Sequence, residues 1–518
     1  PTGFKSLNSS NLDDPTVTPS ENFGIALYNG TSSSNAITGL GFQPDLLYTK
    51  SRSTSGSSPK WFDSLRGVTK RLETNTAGAE TTQSTELTSF DSDGFTLGSD
   101  SGSNYSGRTY VGWTWKAHQT ASSYSYSNTL TLTVENYDGY DGWGTTKLEV
   151  IEGSTSLGFV SEPDYDDEYG GYYAQYDIKT DDVSKIKLVW RTVDSSDPWY
   201  DIYAYLENSS STELASWDGY NYYGGSGGGG GPDAPEEDDV FYPSSGHDST
   251  NASTTGVLEL QGSTVNSNSE KYNAAAGFTM FTYTGNSSTD NDMMLFNHSL
   301  GAPIDFAIGK CRSSASGSGG KWVVWHKDLA NDDGSIYLNE SESESDTNGN
   351  NYDEDYSTIG WFQNVTAGAQ HQVKIRNVLI YDGSNTDTVR MVDNNKNFIF
   401  YGFAGVEGYS KFGKYTGNGS SDGPFIYTGF RPAFVLIKNI GASQDWFLLD
   451  NKREGYNVVD KFLEPNTQNA EATASSNKAD FTANGFKLRG SGSVTNQNNT
   501  SFVYACFSES PFKHANAR

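Results

Sequence analysis

The stretch Gly41-Phe42-Gln43-Pro44-Asp45-Leu46-Leu47-Tyr48-Thr49-Lys50 decides the fold, because it returns as Gly429-Phe430-Arg431-Pro432-Ala433-Phe434-Val435-Leu436-Ile437-Lys438. A glycine free to take positive φ is followed by a proline that cannot donate to a sheet ladder, and then by a near-continuous apolar run. That order describes a turn feeding a strand covered on both faces. A more worn occurrence, Gly301-Ala302-Pro303 followed by Ile304 to Lys310, keeps the same Gly-to-Lys separation. The chain is therefore a repeat with three copies.

Working outward, each copy is announced by turn chemistry: Tyr28-Asn29-Gly30-Thr31, Tyr283-Thr284-Gly285-Asn286 and Tyr415-Thr416-Gly417-Asn418. Downstream, Trp61-Phe62, Trp322-Val323 and Trp446-Phe447 match by type. Phe90-Asp91-Ser92-Asp93-Gly94-Phe95-Thr96-Leu97 matches Phe481-Thr482-Ala483-Asn484-Gly485-Phe486-Lys487-Leu488. Aromatic strands at 110–115, 398–403 and 502–507 close the copies. Recurrence of Lys50, Lys438, Trp61 and Trp446 is read as support for the fold. Helical periodicity is almost absent, its best candidate being 458–463. The expected fold is all-β: serial antiparallel β-sandwich domains, jelly-roll or concanavalin-like, in three related copies with one unrelated β domain inserted. The expected boundaries are an N-terminal segment or join at 1–21, copy 1 at 22–119, the insert at 120–272, an enlarged copy 2 at 273–408, and copy 3 at 409–518.

The insert opens on the alternating Thr129-Leu130-Thr131-Leu132-Thr133-Val134 and ends in a Gly-rich, acidic tail, 220–239, read as a loop or linker. Two of its features are candidate sites. Asp164, Asp166, Asp167 and Glu168 form a carboxylate run of the kind that hard cations take, making Ca²⁺ the one candidate cofactor, although the run lacks the register of an EF-hand and reads first as a solvated acidic loop. Tyr140, Trp143, Trp199, Tyr200, Trp217 and Tyr220 stand beside short polar residues, a composition suited to contact with sugar rings or a protein receptor. The same rings would also serve a small β core.

Composition excludes other classes. Against 35 Lys+Arg stand 64 Asp+Glu, a formal charge of -29, so nucleic acid is not an expected partner. Only 34% of residues are hydrophobic, but 14% are aromatic, which argues for a folded chain whose apolar area comes from rings. Cys311 and Cys506 are expected as buried thiols. No apolar run is long enough to span a bilayer, and no signal peptide stands at the N-terminus, so membrane insertion is not expected. Six histidines, and no nucleophile elbow, Walker loop, HExxH or dinucleotide fingerprint, give catalysis no positive support.

The motifs Gly41 to Leu46, Thr109-Tyr110-Val111-Gly112-Trp113-Thr114-Trp115-Lys116-Ala117, Val406-Glu407-Gly408-Tyr409-Ser410-Lys411-Phe412 and the C-terminal Phe507-Ser508-Glu509-Ser510-Pro511-Phe512-Lys513 resemble virion structural, tail-fibre-like proteins of marine tailed phages, including cyanophages. The resemblance covers copy 1, much of copy 2 and all of copy 3, and leaves out the insert. It implies location in the virion, on the tail or capsid surface, and no enzymatic activity. It further implies a rod or appendage of serial sandwiches that displays the insert, built as a homotrimer or higher symmetric oligomer. The implied partners are other virion proteins and a host-surface glycan or protein, bound through many weak contacts. A tail fibre is favoured over a capsid-surface decoration protein; a secreted carbohydrate-active enzyme with accessory sandwiches and a cellular adhesin are the readings from other classes. Pro1-Thr2-Gly3-Phe4-Lys5-Ser6-Leu7 resembles the join that follows an upstream sandwich in longer members of that family.

Overall fold

The computed structural model describes residues 17–509 with interruptions, the longest being 137–146, 192–200, 221–239, 242–256, 261–268 and 345–360. The fold is all-β, with antiparallel sheets arranged as sandwich-like domains.

Copies 1 and 3 have one topology. In copy 1 a six-stranded sheet runs in the order Phe23–Asn29, Thr109–Trp115, Leu46–Ser51, Lys60–Asp63, Lys70–Glu73, Thr81–Thr82. It faces a three-stranded sheet of Asn35–Thr38, Gly94–Leu97 and Leu87–Asp91. Copy 3 repeats this order with Ser410–Thr416, Ser501–Phe507, Phe434–Asn439, Phe447–Asp450, Lys461–Leu463 and Ala472–Thr473, against Phe425–Tyr427, Gly485–Leu488 and Ala479–Thr482. In copy 2 the central strands are Phe278–Thr284, Asn397–Phe403, Phe306–Cys311 and Trp322–His326, against Met293–His298, Gln370–Tyr381 and Phe362–Ala367.

The repeat glycines have two geometric reasons. Gly41, Gly301 and Gly429 all take positive φ, at 80°, 66° and 88°, which side chains with a Cβ resist. Gly30, Gly285 and Gly417 lie so close to a neighbouring backbone carbonyl, those of Tyr105, Asp393 and Gln497, that a Cβ would sit about 2 Å from its oxygen. Beside Gly30 and Gly417 stands a buried asparagine. Asn104 accepts from the Thr31 N–H and donates to the carbonyls of Ser33 and Gly98. Asn496 does the same with Asn418, Ser420 and Gly490.

Three details differ from the sequence reading. Residues 461–463 of the helical candidate form a strand, and the helix in copy 3 is the short Ser493–Asn496. The strand Ser269–Asn273, expected to lie mainly at the end of the insert, pairs with Phe278–Thr284 and belongs to the sheet of copy 2. The third concerns tryptophan register. Tyr48 pairs with Trp61, Ile308 with Val324 and Leu436 with Leu448, while Trp322 pairs with Lys310. Trp61 is therefore the counterpart of Val324 and Leu448, and Trp322 and Trp446 correspond to Pro59.

The insert has its own two sheets. One is built on Asn128–Asn136, Gly171–Thr180, Asp201–Asn208 and Glu213–Tyr220, the other on Thr155–Val160, Lys147–Glu152 and Ile186–Arg191. Among the described residues its buried cluster takes in Leu130, Leu132, Val134, Leu148, Val150, Ile178, Leu188 and Leu206. It leaves and rejoins the repeats side by side, because Gln119 and Thr120 pair with Tyr272 and Lys271.

The sandwiches are not strung along a line. The large sheet of each copy turns one face to its own small sheet and the other to a common centre. A single core there takes Tyr48, Trp113 and Trp115 from copy 1, Phe306, Tyr401 and Phe403 from copy 2, and Phe434, Leu448 and Phe507 from copy 3. Its rings meet across copies: Trp61 with Trp322 at 5.5 Å, Trp115 with Phe434 at 5.8 Å, Phe403 with Phe507 at 5.6 Å.

Asn496→Ala removes an acceptor and leaves the buried Gly490 carbonyl and the more exposed Ser420 carbonyl without this donor, so it is expected to lower stability by about 1–3 kcal/mol. Urea unfolding of the two proteins measures this; a loss below about 0.5 kcal/mol would show that the clamp is dispensable.

Candidate functional site: the pseudo-threefold interface

Three interfaces, each made with the same backbone hydrogen bond, close the ring. The Glu80 N–H of copy 1 donates to the Arg312 carbonyl of copy 2 (2.9 Å), Glu344 of copy 2 to Ile440 of copy 3 (3.0 Å), and Glu471 of copy 3 to Arg52 of copy 1 (2.9 Å). This is the heterologous contact of a cyclic trimer, made within one chain.

The repeat lysines lie beside these bonds. Lys50 donates to the carbonyls of Glu464 and Thr467 in copy 3. Lys310 reaches Ala77 of copy 1 and its own Gly320, and Lys438 reaches Ser341 of copy 2 and its own Gln444. Burial pushes their pKa values down, to about 7, 8 and 8 respectively. The two register-matched tryptophans add a further tie each: Trp322 Nε1 donates to the Glu73 carbonyl (2.9 Å) and Trp446 Nε1 to that of Tyr337 (2.8 Å).

Two of the interfaces also hold a buried ionic chain. Between copies 1 and 2 it runs Asp63, Arg66, Glu80, Arg312, with the Tyr401 hydroxyl donating to Asp63 at 2.6 Å. Between copies 3 and 1 it runs Asp450, Arg453, Glu471, Arg52, with Trp113 Nε1 donating to Asp450 at 3.2 Å. Burial works against the charge on Arg66, but Asp63, Tyr401 and Glu80 outweigh it and hold its pKa above the ordinary value. The sequence carries the signal twice, as Asp63-Ser64-Leu65-Arg66 and Asp450-Asn451-Lys452-Arg453. Arg453 belongs to the basic pair Lys452-Arg453, and in the fold it is buried and ion-paired.

The interface between copies 2 and 3 is different. His326, Leu329 and Ile440 stand where the others have Asp, Arg and Arg, and Ala505 stands where they have Tyr401 or Trp113. His326 Nε2 lies 3.2 Å from the Tyr504 carbonyl, and burial lowers the histidine to about 3, so the ring stays neutral. Close to Ala505 on the common axis, an apolar cavity of about 40 Å³ lies among Trp115, Phe403, Phe434 and Phe507.

The expected sites lie elsewhere. Asp164, Asp167, Glu168, Tyr140, Trp143, Trp199 and Tyr200 fall outside the described residues, as do the side chains of Asp166, Trp217 and Tyr220, whose backbones lie in strands. No group of three or more His, Cys, Asp or Glu suited to a metal ion is present among the described residues. Cys311 and Cys506 are buried free thiols, as expected.

A family model described as "Domain of unknown function (DUF7483)" matches residues 18–141 and 247–511. The chain belongs to the DUF7483 family. The matched residues take in most of all three copies and pass over most of the insert, so in this chain the family unit is the ring. A search of curated proteins finds no match.

Asp450→Ala leaves Arg453 buried beside fewer acceptors and is expected to cost about 3–5 kcal/mol. Adding Arg453→Leu, the residue type of copy 2 at that position, is expected to recover part of the loss; a double-mutant cycle in urea with no coupling would show the pair to be independent.

The lysines also set a pH dependence. Their folded values lie below the 10.5 of an unperturbed lysine, so between about pH 7 and pH 10 the unfolded chain binds more protons and stability rises with pH. His298 and His326, lowered by burial to about 3 from 6.5, extend the same sign to acid, where stability falls as pH drops below about 6.5. Thermal melts at about pH 5, 7 and 9.5 are expected to give ascending Tm values; a Tm that falls between the last two would contradict the lysine assignment.

Proposed function

We propose that this DUF7483 chain is a non-catalytic structural and attachment protein of a tailed-phage virion, a self-closed ring of three sandwiches that displays the insert to the host surface. The observation carrying the reading is what the ring does with its buried charge. Lys50, Lys310, Lys438, Arg66 and Arg453 each bond across a boundary between copies or anchor a chain that crosses one. Such an arrangement favours rigid assembly over chemistry, since catalytic groups work in clefts open to a substrate. The resemblance of the repeat motifs to virion proteins supplies the setting.

Closure within one chain bears on the form of the assembly. The faces that a threefold fibre would use to join separate chains are already occupied by the three copies. The reading therefore favours a compact unit on the capsid surface or at the tip of an appendage over a coaxial rod of trimerised beads. The insert emerges from adjacent strands, 119–120 and 271–272, a connection that presents it without opening the ring.

Light scattering of the purified protein is expected to give the mass of a single chain, 56.4 kDa. Electron microscopy of intact particles labelled with an antibody to the insert is expected to mark discrete surface positions. Particles without label, in a preparation whose denatured proteins include the chain, would overturn the surface-display reading.

A further inference from the structure

The repeat supplies its own control for separating residues that build the sandwich from residues that do something else. In the small sheet of copy 1, strand Asn35–Thr38 pairs with Gly94–Leu97, setting Ala36 opposite Thr96. In copy 3, strand Phe425–Tyr427 pairs with Gly485–Leu488 in the same way, setting Phe425 opposite Lys487. Ile37 and Ile426 occupy the same inward position, and both are buried. Ala36 and Thr38 thus correspond to Phe425 and Tyr427, Thr96 to Lys487, and Gly24 to Lys411. Four small or uncharged residues are replaced by two rings and two cations on an unchanged backbone.

The fold does not bury these rings. Phe425 is 46% exposed and Tyr427 58%, and both rings lie on the edge strand of the sheet. Residues two apart on a strand face the same way about 7 Å apart, so the two rings stand in a strip on the outer face of the sheet. Lys411 stands over Tyr427, 5.1 Å from its centroid, and donates to its carbonyl. Lys487 and Arg489 continue the strip, meeting Asp422 and Asp480. Across the sheet, Asn457 bonds the backbone of Phe481 through both its amide atoms and holds Tyr456, 87% exposed, at the opposite edge. Tyr456 lies in a stretch with no counterpart in copy 1, since nine residues separate Arg453 from Leu463 where five separate Arg66 from Leu72. Charge follows the same division. Residues 409–518 hold 12 Lys+Arg against 9 Asp+Glu, in a chain whose totals are 35 and 64.

We infer that the outer face of copy 3 is a binding platform for an acidic polysaccharide, with sugar rings stacked on Phe425 and Tyr427 and their carboxylate or sulfate groups met by Lys411, Lys487 and Arg489. Flat exposed rings at the level of the sheet suit the C–H faces of sugars, whereas protein anchors fill pockets. The flanking cations select a negative ligand, which the acidic remainder of the chain repels. The inference deepens the attachment reading above by naming the receptor class and a site for it outside the insert.

The test uses the full chain and fluorescently labelled oligosaccharides of alginate, chondroitin sulfate and neutral dextran, followed by anisotropy at low and moderate salt. Binding of at least one acidic oligosaccharide, weakened by salt, with dextran inert, is the expected result. Phe425→Ala with Tyr427→Thr installs the residues of copy 1 and is expected to weaken binding about tenfold or more at unchanged Tm. Lys487→Thr is expected to flatten the salt dependence. Absence of binding to both acidic glycans, equal binding of dextran, full binding by the double variant, or preference for phosphatidylglycerol vesicles would each overturn the platform. None of these results bears on where the chain sits in the particle: a labelled virion with an inert platform refutes only this inference, and a glycan-binding chain absent from virions refutes only the location.

Discussion

Everything in this molecule depends on the packing of three large sheets, face inward, around one shared aromatic core. A sheet sandwiched on one side by its own small partner still has a second apolar face to cover, and Trp113, Tyr401, Phe434 and their neighbours form that face. Left in water, each such ring would forgo about 2–3 kcal/mol of transfer free energy. The three faces cover one another, which is why Leu46–Ser51, Phe306–Cys311 and Phe434–Asn439 are buried along their whole length and lack the alternation of a half-exposed strand.

The seams of the ring differ in a way that follows from connectivity. Copies 2 and 3 are joined by a short link, 404–409, which holds their faces at high effective concentration. Copy 1 joins copy 2 through the whole insert, and copy 3 meets copy 1 with no direct link between them. The ionic chains of Arg66 and Arg453 occur at those two seams, and the linked seam has His326, Leu329 and Ala505 instead. Buried ion chains add little net stability, but they penalise a misplaced partner heavily. They fit seams where the correct neighbour must be selected, and are dispensable where the chain itself presents it.

Much of this was legible in the sequence. Gly41, Gly301 and Gly429 marked the repeats because a positive φ followed by an extended strand leaves a compositional trace that survives divergence, and the turn glycines 30, 285 and 417 did so because of a close backbone approach. The closed ring was not legible. Rings facing a shared axis and rings facing a private core have the same period and composition, so the copies read as beads on a line. The tryptophans misled for a related reason: Trp61 and Trp446 look like one position, but strand pairing sets them two residues apart, on the same face of the sheet. The burial of Arg453 was not legible because its ion-pair partners, Asp450 apart, are distant in sequence. The candidate sites in the insert remain outside the described residues, and the aromatic strip of copy 3 was hidden because Phe425 and Tyr427 read as ordinary strand residues.

A repeat protein resolves that last ambiguity from within. When one backbone appears twice, a residue shared by both copies is explained by the backbone, and a residue confined to one copy needs a further cause. Lys50, Lys310 and Lys438 occur in all three copies and serve the ring. Phe425, Tyr427 and Lys487 occur in copy 3 at positions where Ala36, Thr38 and Thr96 build the same strands in copy 1. An exposed ring in place of alanine gains little burial and is a liability in water, so a ligand is the simplest physical cause for it. The same comparison explains the axial cavity in the opposite sense: Ala505 stands where Trp113 and Tyr401 carry rings, and the ring tolerates that small void because the link between copies 2 and 3 already holds the seam closed.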